Sequence, residues 1–218
     1  MGDPHSQTPP RTAESGVVCD ASEAFAAQMS DSRRVVKALE ANRERGAALL
    51  FDTYSKMVNG LVWRLLGADP DHDDVVQQVF CSVLSSMERL RDPDKLGAWV
   101  RRITVNTVYG ELRKREVRRL FLLKQPPASE VYVQTQDVET RDLLSRARQV
   151  MDKLPARERM VFLLHHVEGY TLNEVAELQG YSLATAKRRL SAADKRFQKL
   201  VQQNPDLVER LAHRRRSA

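Results

Sequence analysis

The sequence is poor in aromatic residues and in cysteine. Only 6% of its 218 residues are Phe, Trp or Tyr, and continuous β-branched runs are scarce, so the composition favours helices packed through aliphatic side chains over a sheet. The two cysteines, Cys19 and Cys81, lie far apart and outside any C-x-x-C spacing. This pattern argues against a disulfide framework and is typical of ordinary thiols in a reducing cytosol.

Long apolar runs and the usual catalytic signatures are also missing. No stretch approaches the roughly 20 apolar residues of a membrane span, and residues 1–16 lack the basic start and apolar run of a secretory signal. We therefore expect a cytoplasmic protein without direct membrane insertion. The sequence contains no nucleophile–base signature, no glycine-rich phosphate loop and no carboxylate pair at acid/base spacing. It accordingly predicts no enzyme: no catalytic residue, no metal, no cofactor and no small-molecule substrate.

Basic residues outnumber acidic ones. With 35 Lys and Arg against 29 Asp and Glu, the net charge is +6, and the isoelectric point is near 9.5. Such a charge suits a polyanionic partner, either a nucleic acid or an acidic membrane surface. The most basic stretch, 113–119, fits a phosphate backbone and, equally well, the solvated C-terminal end of a helix.

Apolar periodicity divides the chain into two helical segments. Residues 1–34 are rich in Pro, Ser, Thr and Asp and predict a disordered arm. In the first segment, 35–122, apolar residues recur at steps of three and four. They do so within three stretches, Leu50–Leu66, Val75–Leu90 and Leu96–Leu112, each of which predicts an amphipathic helix.

The apolar periodicity is absent from 123–141. This stretch is polar and acidic and contains two consecutive prolines, so it predicts a flexible linker. Helical periodicity returns in the second segment, 142–204, and a basic tail follows at 205–218. We therefore predict an all-α protein of two small helical domains joined by a flexible linker.

The second segment has the layout of a helix-turn-helix. Thr171 and Glu174 form a capping-box pattern before a short helix, and Gly180 can supply the positive φ of a tight turn. Ser182 caps a long final helix, whose outward residues are Thr185, Lys187, Arg188, Arg189, Ser191 and Lys195. Arg and Lys on the first half of such a helix reach guanine edges and phosphates in the major groove. We expect DNA binding here, and a solvated basic face on a helical hairpin is the alternative.

Two polar clusters invite a metal interpretation. The acids between Asp69 and Asp74 flank a histidine, but acids within one helical turn diverge, and no second ligand group stands at a convincing spacing. We expect these acids to cap a helix and to complement its dipole. The side chains of His165 and His166 point roughly 100° apart on a helix, so we expect one at a packing edge and the other in water.

Three stretches in series resemble the sigma-70 superfamily. They are LLGADPDHDDVVQQVF, LGAWVRRITVN and LPARERMVFLLHHVEGYTLNEVAELQGYSLATAKRRL. Residues 50–119 resemble region 2 of that superfamily, and residues 143–201 resemble region 4. With little between them, the two regions together resemble an extracytoplasmic-function (ECF) sigma factor.

The resemblance implies a promoter-recognition subunit of bacterial RNA polymerase that initiates transcription. Its partners would be the core enzyme, through the β′ clamp helices and the β flap, promoter DNA and, as in many members, an anti-sigma factor. The implied polymerase-binding residues are Asp74, Val75, Gln77, Gln78 and Phe80. The implied contacts to the −10 element are Arg102, Asn106, Arg113 and Lys114, and those to the −35 element are Ser182, Thr185, Lys187, Arg188 and Arg189.

The same resemblance assigns a role to the loop at 91–97, which would help to hold a base flipped from the non-template strand. Extracting a base costs a few kcal/mol of stacking and pairing, which capture of the base and phosphate contacts can offset. Trp99 belongs to the motif of the helix that handles the −10 element, and its ordinary interpretation is a core anchor.

Two other functions remain open at this point. A stand-alone helix-turn-helix regulator would need an effector pocket or a dimerisation helix in the first segment. A metal-dependent nuclease would use the acids between Asp69 and Asp74. Operator binding without polymerase would favour the regulator, and Mg²⁺-dependent cleavage would favour the nuclease.

Overall fold

The computed structural model describes residues 31–67, 69–121 and 146–204. Every regular element in these ranges is helical, which confirms the predicted all-α class. None of the helices found there is both long and apolar enough to cross a bilayer. The predicted linker (123–141), the basic tail (205–218) and residues 1–30 of the predicted arm lie outside the described residues.

The N-terminal domain is built from four helices. Residues 31–41 form α1, and the others are α2 (Arg43–Leu66), α3 (His72–Ser85) and α4 (Leu96–Phe121), with 3₁₀ turns at Met87–Arg89 and Pro93–Lys95. Helices α2, α3 and α4 pack against one another in pairs. Their shared core consists of aliphatic side chains that are almost completely buried, among them Leu50, Val58, Leu61, Leu65, Val79, Val83, Leu96, Val100 and Val108.

The disordered arm was predicted to extend four residues too far. Residues 31–34 are helical and belong to α1. Ser32 is completely buried and its hydroxyl lies 2.8 Å from that of Tyr54, while Arg33 Nη2 donates to Asp94 Oδ2 at 2.6 Å. The prediction was wrong here because these polar partners lie 22 and 61 residues away, beyond the reach of a local apolar pattern.

Helix α3 is shorter than its apolar stripe suggested. The sequence predicted one helix as far as Leu90, but α3 ends at Ser85 and a 3₁₀ turn follows. Three serines bond back onto the last turn: Ser82 donates to Gln78 O at 2.7 Å, and Ser85 and Ser86 both donate to Ser82 O. Serine hydroxyls that compete for helix carbonyls in this way favour the end of a helix.

The C-terminal domain contains residues 146–152 (α5), α6 (Ala156–Phe162), α7 (Leu172–Gln179) and α8 (Leu183–Gln202). Helix α6 continues into a π-helical turn, Leu163–Val167, that the sequence did not predict. His165 Nδ1 lies 2.7 Å from Tyr170 O, and the exposed His166 bonds Asp194 at 2.9 Å. His165 therefore lies at a packing edge and His166 lies in solvent, as the sequence predicts.

Candidate nucleic-acid interface

The helix-turn-helix has the local geometry that its sequence predicts. Thr171 Oγ1 accepts from Glu174 N at 3.3 Å, and Thr171 N donates to Glu174 Oε2 at 2.8 Å, so both halves of the capping box are present. These bonds to Thr171 hold the pKa of Glu174 below its ordinary value. Gly180 ends α7 with φ 69° and ψ 37°, the left-handed conformation that favours glycine. The start and the end of α7 are therefore fixed by residues that lie close together in the sequence.

Helix α8 turns an apolar face inward and a basic face outward. Ser182 accepts from Thr185 N at 3.3 Å at its first turn, and Ala186, Leu190 and Ala193 are buried. Lys187 and Arg188 are exposed, and Thr185 is half-buried beside them. This exposed surface lies on the first half of the helix, where a recognition helix meets base edges.

Arg189 has an additional fixed partner. Its guanidinium carbon lies 4.3 Å from the centre of the Tyr181 ring, within range of a cation–π contact. Burial raises the pKa of Tyr181, and the charge of Arg189 opposes that rise. Because the ring restricts its motion, Arg189 is less free to reach DNA than Lys187 and Arg188.

Three of the four predicted −10 contacts share one side of α4. Arg102, Asn106 and Arg113 are exposed at helical spacing, so they point the same way. Lys114 is also exposed, and its ammonium lies 3.5 Å from Glu111 Oε2. Trp99 is half-buried: it packs against the core, as expected of a core anchor, and it also lines a cavity beside Arg91 and Lys95.

The basic stretch at 113–119 is not a uniform phosphate-binding surface. Arg115 donates to Asp69, to Asp71 Oδ2 at 3.0 Å and to Glu111 Oε1 at 3.1 Å. Burial lowers the pKa of Arg115, but the bonds to Asp69 and Glu111 outweigh burial and raise it. Arg119 donates to the carbonyl of Asp152 at 2.7 Å. Arg115 and Arg119 therefore bond protein acceptors, although Arg119 is also exposed.

The acids between Asp69 and Asp74 divide into two groups. Asp73 and Asp74 occupy the first turn of α3, where the helix dipole favours them, but Asp71 at the N-cap makes no side-chain capping bond. The capping prediction is therefore wrong for Asp71, whose side chain pairs with Arg115. Asp69, whose side chain is 1% exposed, accepts from Asp71 N at 3.0 Å just before the helix and also bonds Arg115. Burial raises the pKa of Asp69, and the bonds from Arg115 overcome it and hold the pKa below its ordinary value. In the described ranges, no group of His, Cys, Asp and Glu is arranged to hold a metal ion.

The predicted polymerase-binding set lies on both faces of α3. Asp74, Gln77 and Gln78 are exposed, but Val75 is 3% exposed and Phe80 is 8% exposed, so both belong to the core. Their burial leaves little of either side chain accessible to a partner, and the polymerase contact of the set stays a prediction. Phe51, which is not in the predicted set, is 48% exposed, and its ring centre lies 4.9 Å from that of Phe80.

Two family models match this chain. Residues 50–118 match Sigma-70 region 2, and residues 144–196 match Sigma-70, region 4. Together the matched residues are more than half of the chain. The match to region 2 contains α3 and most of α4, and the match to region 4 contains α7 and the first 14 residues of α8.

Curated relatives and solved structures agree with these models. The RNA polymerase sigma factor SigV of Bacillus subtilis is 29% identical over 130 residues, which are 55% of this chain and 69% of SigV. The ECF RNA polymerase sigma-E factor of Haemophilus influenzae is 26% identical over 188 residues, which are 82% of this chain and 98% of that protein. The sigma factor RpoE of Bartonella quintana, solved with the anti-sigma factor NepR, has the same fold, with a TM-score of 0.51 at 20% identity over 71% of this chain and 95% of that chain. The chain therefore belongs to the extracytoplasmic-function group of the sigma-70 family of RNA polymerase sigma factors.

Proposed function

We propose that this protein binds core RNA polymerase in the cytoplasm and directs it to promoters, reading the −10 element with α4 and the −35 element with α8. The observation that carries the proposal is the pairing of two exposed polar and basic faces on separate domains of one chain. A single helix-turn-helix would serve a stand-alone regulator equally well. The second face, on α4, is what favours a promoter-specific initiation factor that performs no covalent chemistry of its own.

The −35 contact is assigned to the first half of α8. Lys187 and Arg188 are exposed there, and a helix presenting such cations fits the major groove, where Arg and Lys bond guanine edges and phosphates. Ser182 and Thr185 stand at the helix N-terminus, where hydroxyls and backbone N–H groups bond phosphate oxygens. Arg189 completes the predicted set from its position over Tyr181.

The −10 contact is assigned to the exposed side of α4, with Arg102, Asn106 and Arg113 in line and Lys114 beside them. The loop at 91–97 precedes this helix and would receive the flipped base. Arg91 and Lys95 are exposed in it, so the loop carries cations that can bind the phosphates on either side of an extruded nucleotide.

The polymerase contact is assigned to the exposed side of α3. Asp74, Gln77 and Gln78 are the accessible members of the predicted set, and they offer a polar surface with one negative charge. Phe51 stands at its border, where a half-exposed aromatic ring is well suited to anchor a protein partner. We also propose an anti-sigma partner, because the structurally similar RpoE was solved with one.

Reconstituted transcription tests the proposal. Core polymerase with this protein should give promoter-specific transcripts from a genomic template, and the double variant Lys187→Ala/Arg188→Ala should lose them. The salt dependence of promoter binding should fall by about two ion equivalents, since two phosphate contacts are removed. Lys199→Ala, an exposed cation in the last turn of the same helix, is the matched control and should behave as the wild type. If no promoter-specific transcript is made from any genomic template, the proposal is refuted; tight operator binding without polymerase would favour a stand-alone regulator.

A further inference from the structure

Helix α1 brings one arginine to the loop that precedes α4. Arg33 Nε donates to Asp94 Oδ1 at 2.5 Å, and Arg33 Nη2 donates to Asp94 Oδ2 at 2.6 Å. One guanidinium thus bonds both oxygens of one carboxylate, and such a bidentate pair fixes the orientation of its partners as well as their distance. The bonds from Arg33 hold the pKa of Asp94 below its ordinary value. The pair joins two elements whose residues are 61 positions apart in the sequence.

Helix α1 gives Arg33 a firm support. Ser32, the residue before it, is completely buried, and its hydroxyl lies 2.8 Å from that of Tyr54 on α2. Gly46 lets the start of α2 approach α1 closely, because a Cβ at that position would clash with the backbone of Leu39. Groups carried on a packed helix hold a partner more exactly than groups on a free loop. Arg33 can therefore determine where its acceptor stands.

The loop at 91–97 has a fixed end and an exposed middle. Leu96 is completely buried. Asp94 N donates to Asp92 Oδ1 at 3.1 Å, and this bond shapes the turn without tying it to another element. In the ranges that the structure describes, Arg33 is the one group outside the loop that hydrogen-bonds a side chain of the loop. Its bonds to Asp94 therefore set the orientation of the turn.

Asp94 stands among the residues that would receive the flipped base. Arg91, Asp92 and Lys95 line a cavity of about 450 Å³, and Trp99 lines it as well. Arg91 lies three residues before Asp94 and Lys95 lies one residue after it, so a rotation of the turn at Asp94 would move both cations. A binding site needs its groups held to within about 0.5 Å of the productive geometry. The turn must therefore be held still for the base to be captured.

We propose that Arg33 is a positioning residue for promoter opening, which holds the loop at 91–97 through Asp94 in the form that receives the flipped base. Arg33 acts through Asp94 and makes no contact with DNA itself. The inference rests on the proposed function and deepens it, since it gives α1 a part in recognition of the −10 element. Arg33 lies outside the residues that match Sigma-70 region 2, which begin at position 50.

The sign of one substitution separates this role from a direct attraction of DNA by Arg33. Asp94→Asn keeps the size of the side chain and removes its negative charge. If Arg33 only attracted phosphates, the loss of a nearby negative charge would strengthen DNA binding. If Arg33 acts through Asp94, the same change releases the turn and weakens DNA binding. Because the ion pair is exposed, we expect a small loss of affinity, about two- to fivefold.

The experiment uses the holoenzyme, reconstituted from core polymerase and the full chain. Its ligand is a single-stranded non-template oligonucleotide that carries the −10 element identified from its own transcripts. Arg33→Ala and Asp94→Asn should each weaken binding about two- to fivefold. The double swap Arg33→Asp/Asp94→Arg rebuilds the pair with reversed signs and should recover most of the lost affinity. Arg34→Ala, which removes the adjacent exposed cation of α1, is the matched control and should bind as the wild type does.

Two further measurements distinguish positioning from a general loss of structure. A duplex that carries only the −35 element should bind the wild type and every variant equally, and circular dichroism should show the same helix content in each. On a complete duplex promoter, the reactivity of −10 thymines towards permanganate should appear more slowly with Arg33→Ala and Asp94→Asn than with the wild type. The double swap should restore the rate.

Unchanged or tighter binding of the −10 strand by Asp94→Asn overturns the inference. An equal loss on the −35 duplex, or a double swap no better than either single variant, also overturns it. If the wild-type holoenzyme makes promoter-specific transcripts, the proposed function survives these results. If it makes none from any genomic template, the proposed function is refuted and the role of Arg33 falls with it.

Discussion

Two glycines in this protein should respond in opposite directions to the same substitution. Gly180 has φ 69°, and an added Cβ would meet nothing nearer than Arg102 Nη2 at 4.0 Å, so Gly180→Ala introduces backbone strain without a clash. Placing alanine in the left-handed region costs about 1–2 kcal/mol. Gly110 lies inside α4, and its Cβ would meet nothing within 4 Å. Alanine there should stabilise the protein by about 0.5–1 kcal/mol, because it restricts the unfolded chain.

Thermal denaturation measures both effects. In a chain of this size each kcal/mol shifts the melting temperature by about 2–4 °C, so the two variants should differ from each other by roughly 3–12 °C. Gly180→Asn should lie near the wild type, since asparagine tolerates the left-handed region. If Gly110→Ala and Gly180→Ala shift the melting temperature in the same direction, the conformational argument for the turn fails. If Gly180→Asn is as unstable as Gly180→Ala, an unrecognised clash and not strain controls the site.

Three further predictions use the same measurement. Thr171→Ala should cost about 1 kcal/mol, because the capping box loses its hydroxyl acceptor. The wild type should lose stability as the pH falls below about 4, since the pKa of Asp69 is lowered in the folded state and its carboxylate stabilises that state only while charged. Asp69→Asn should be less stable at pH 7, and its melting temperature should depend less on pH in the acid range. Leu65→Ala should cost about 2–5 kcal/mol at a completely buried position, whereas Val167→Ala, 53% exposed, should change stability by less than about 0.5 kcal/mol.

The helix-turn-helix could be predicted closely because its determinants are local. The bonds of Thr171, Glu174 and Ser182 all join residues three apart, and Gly180 acts through its own backbone. Interactions of this kind can be predicted from a short stretch of sequence. The same holds for the amphipathic stripes of α2 and α4, which indicated both the helices and the faces that they bury.

The contacts between the domains could not be read from the sequence. Arg64 and Glu168 are 104 residues apart, and Arg159 and Leu66 are 93 apart, so no local pattern connects them. The sequence also did not reveal all the partners of the basic stretch at 113–119, since Arg115 bonds not only Glu111, four residues away, but also Asp69, 46 residues away. Val75 and Phe80 are a different case. Both belong to the apolar stripe of α3, so helical periodicity alone predicts that they are buried. The family resemblance instead implied that they contact polymerase.

The hydrogen bond from Ala156 to Glu116 joins the start of α6 to the other domain. The first turn of α6 is closed by a carboxylate 40 residues away, in the other domain, and Pro155 before it offers no side-chain cap. A lineage that lost Glu116 would gain from a serine, threonine or aspartate at position 155, which would let α6 close its own first turn. We therefore expect substitutions at positions 116 and 155 to occur together among descendants of this sequence.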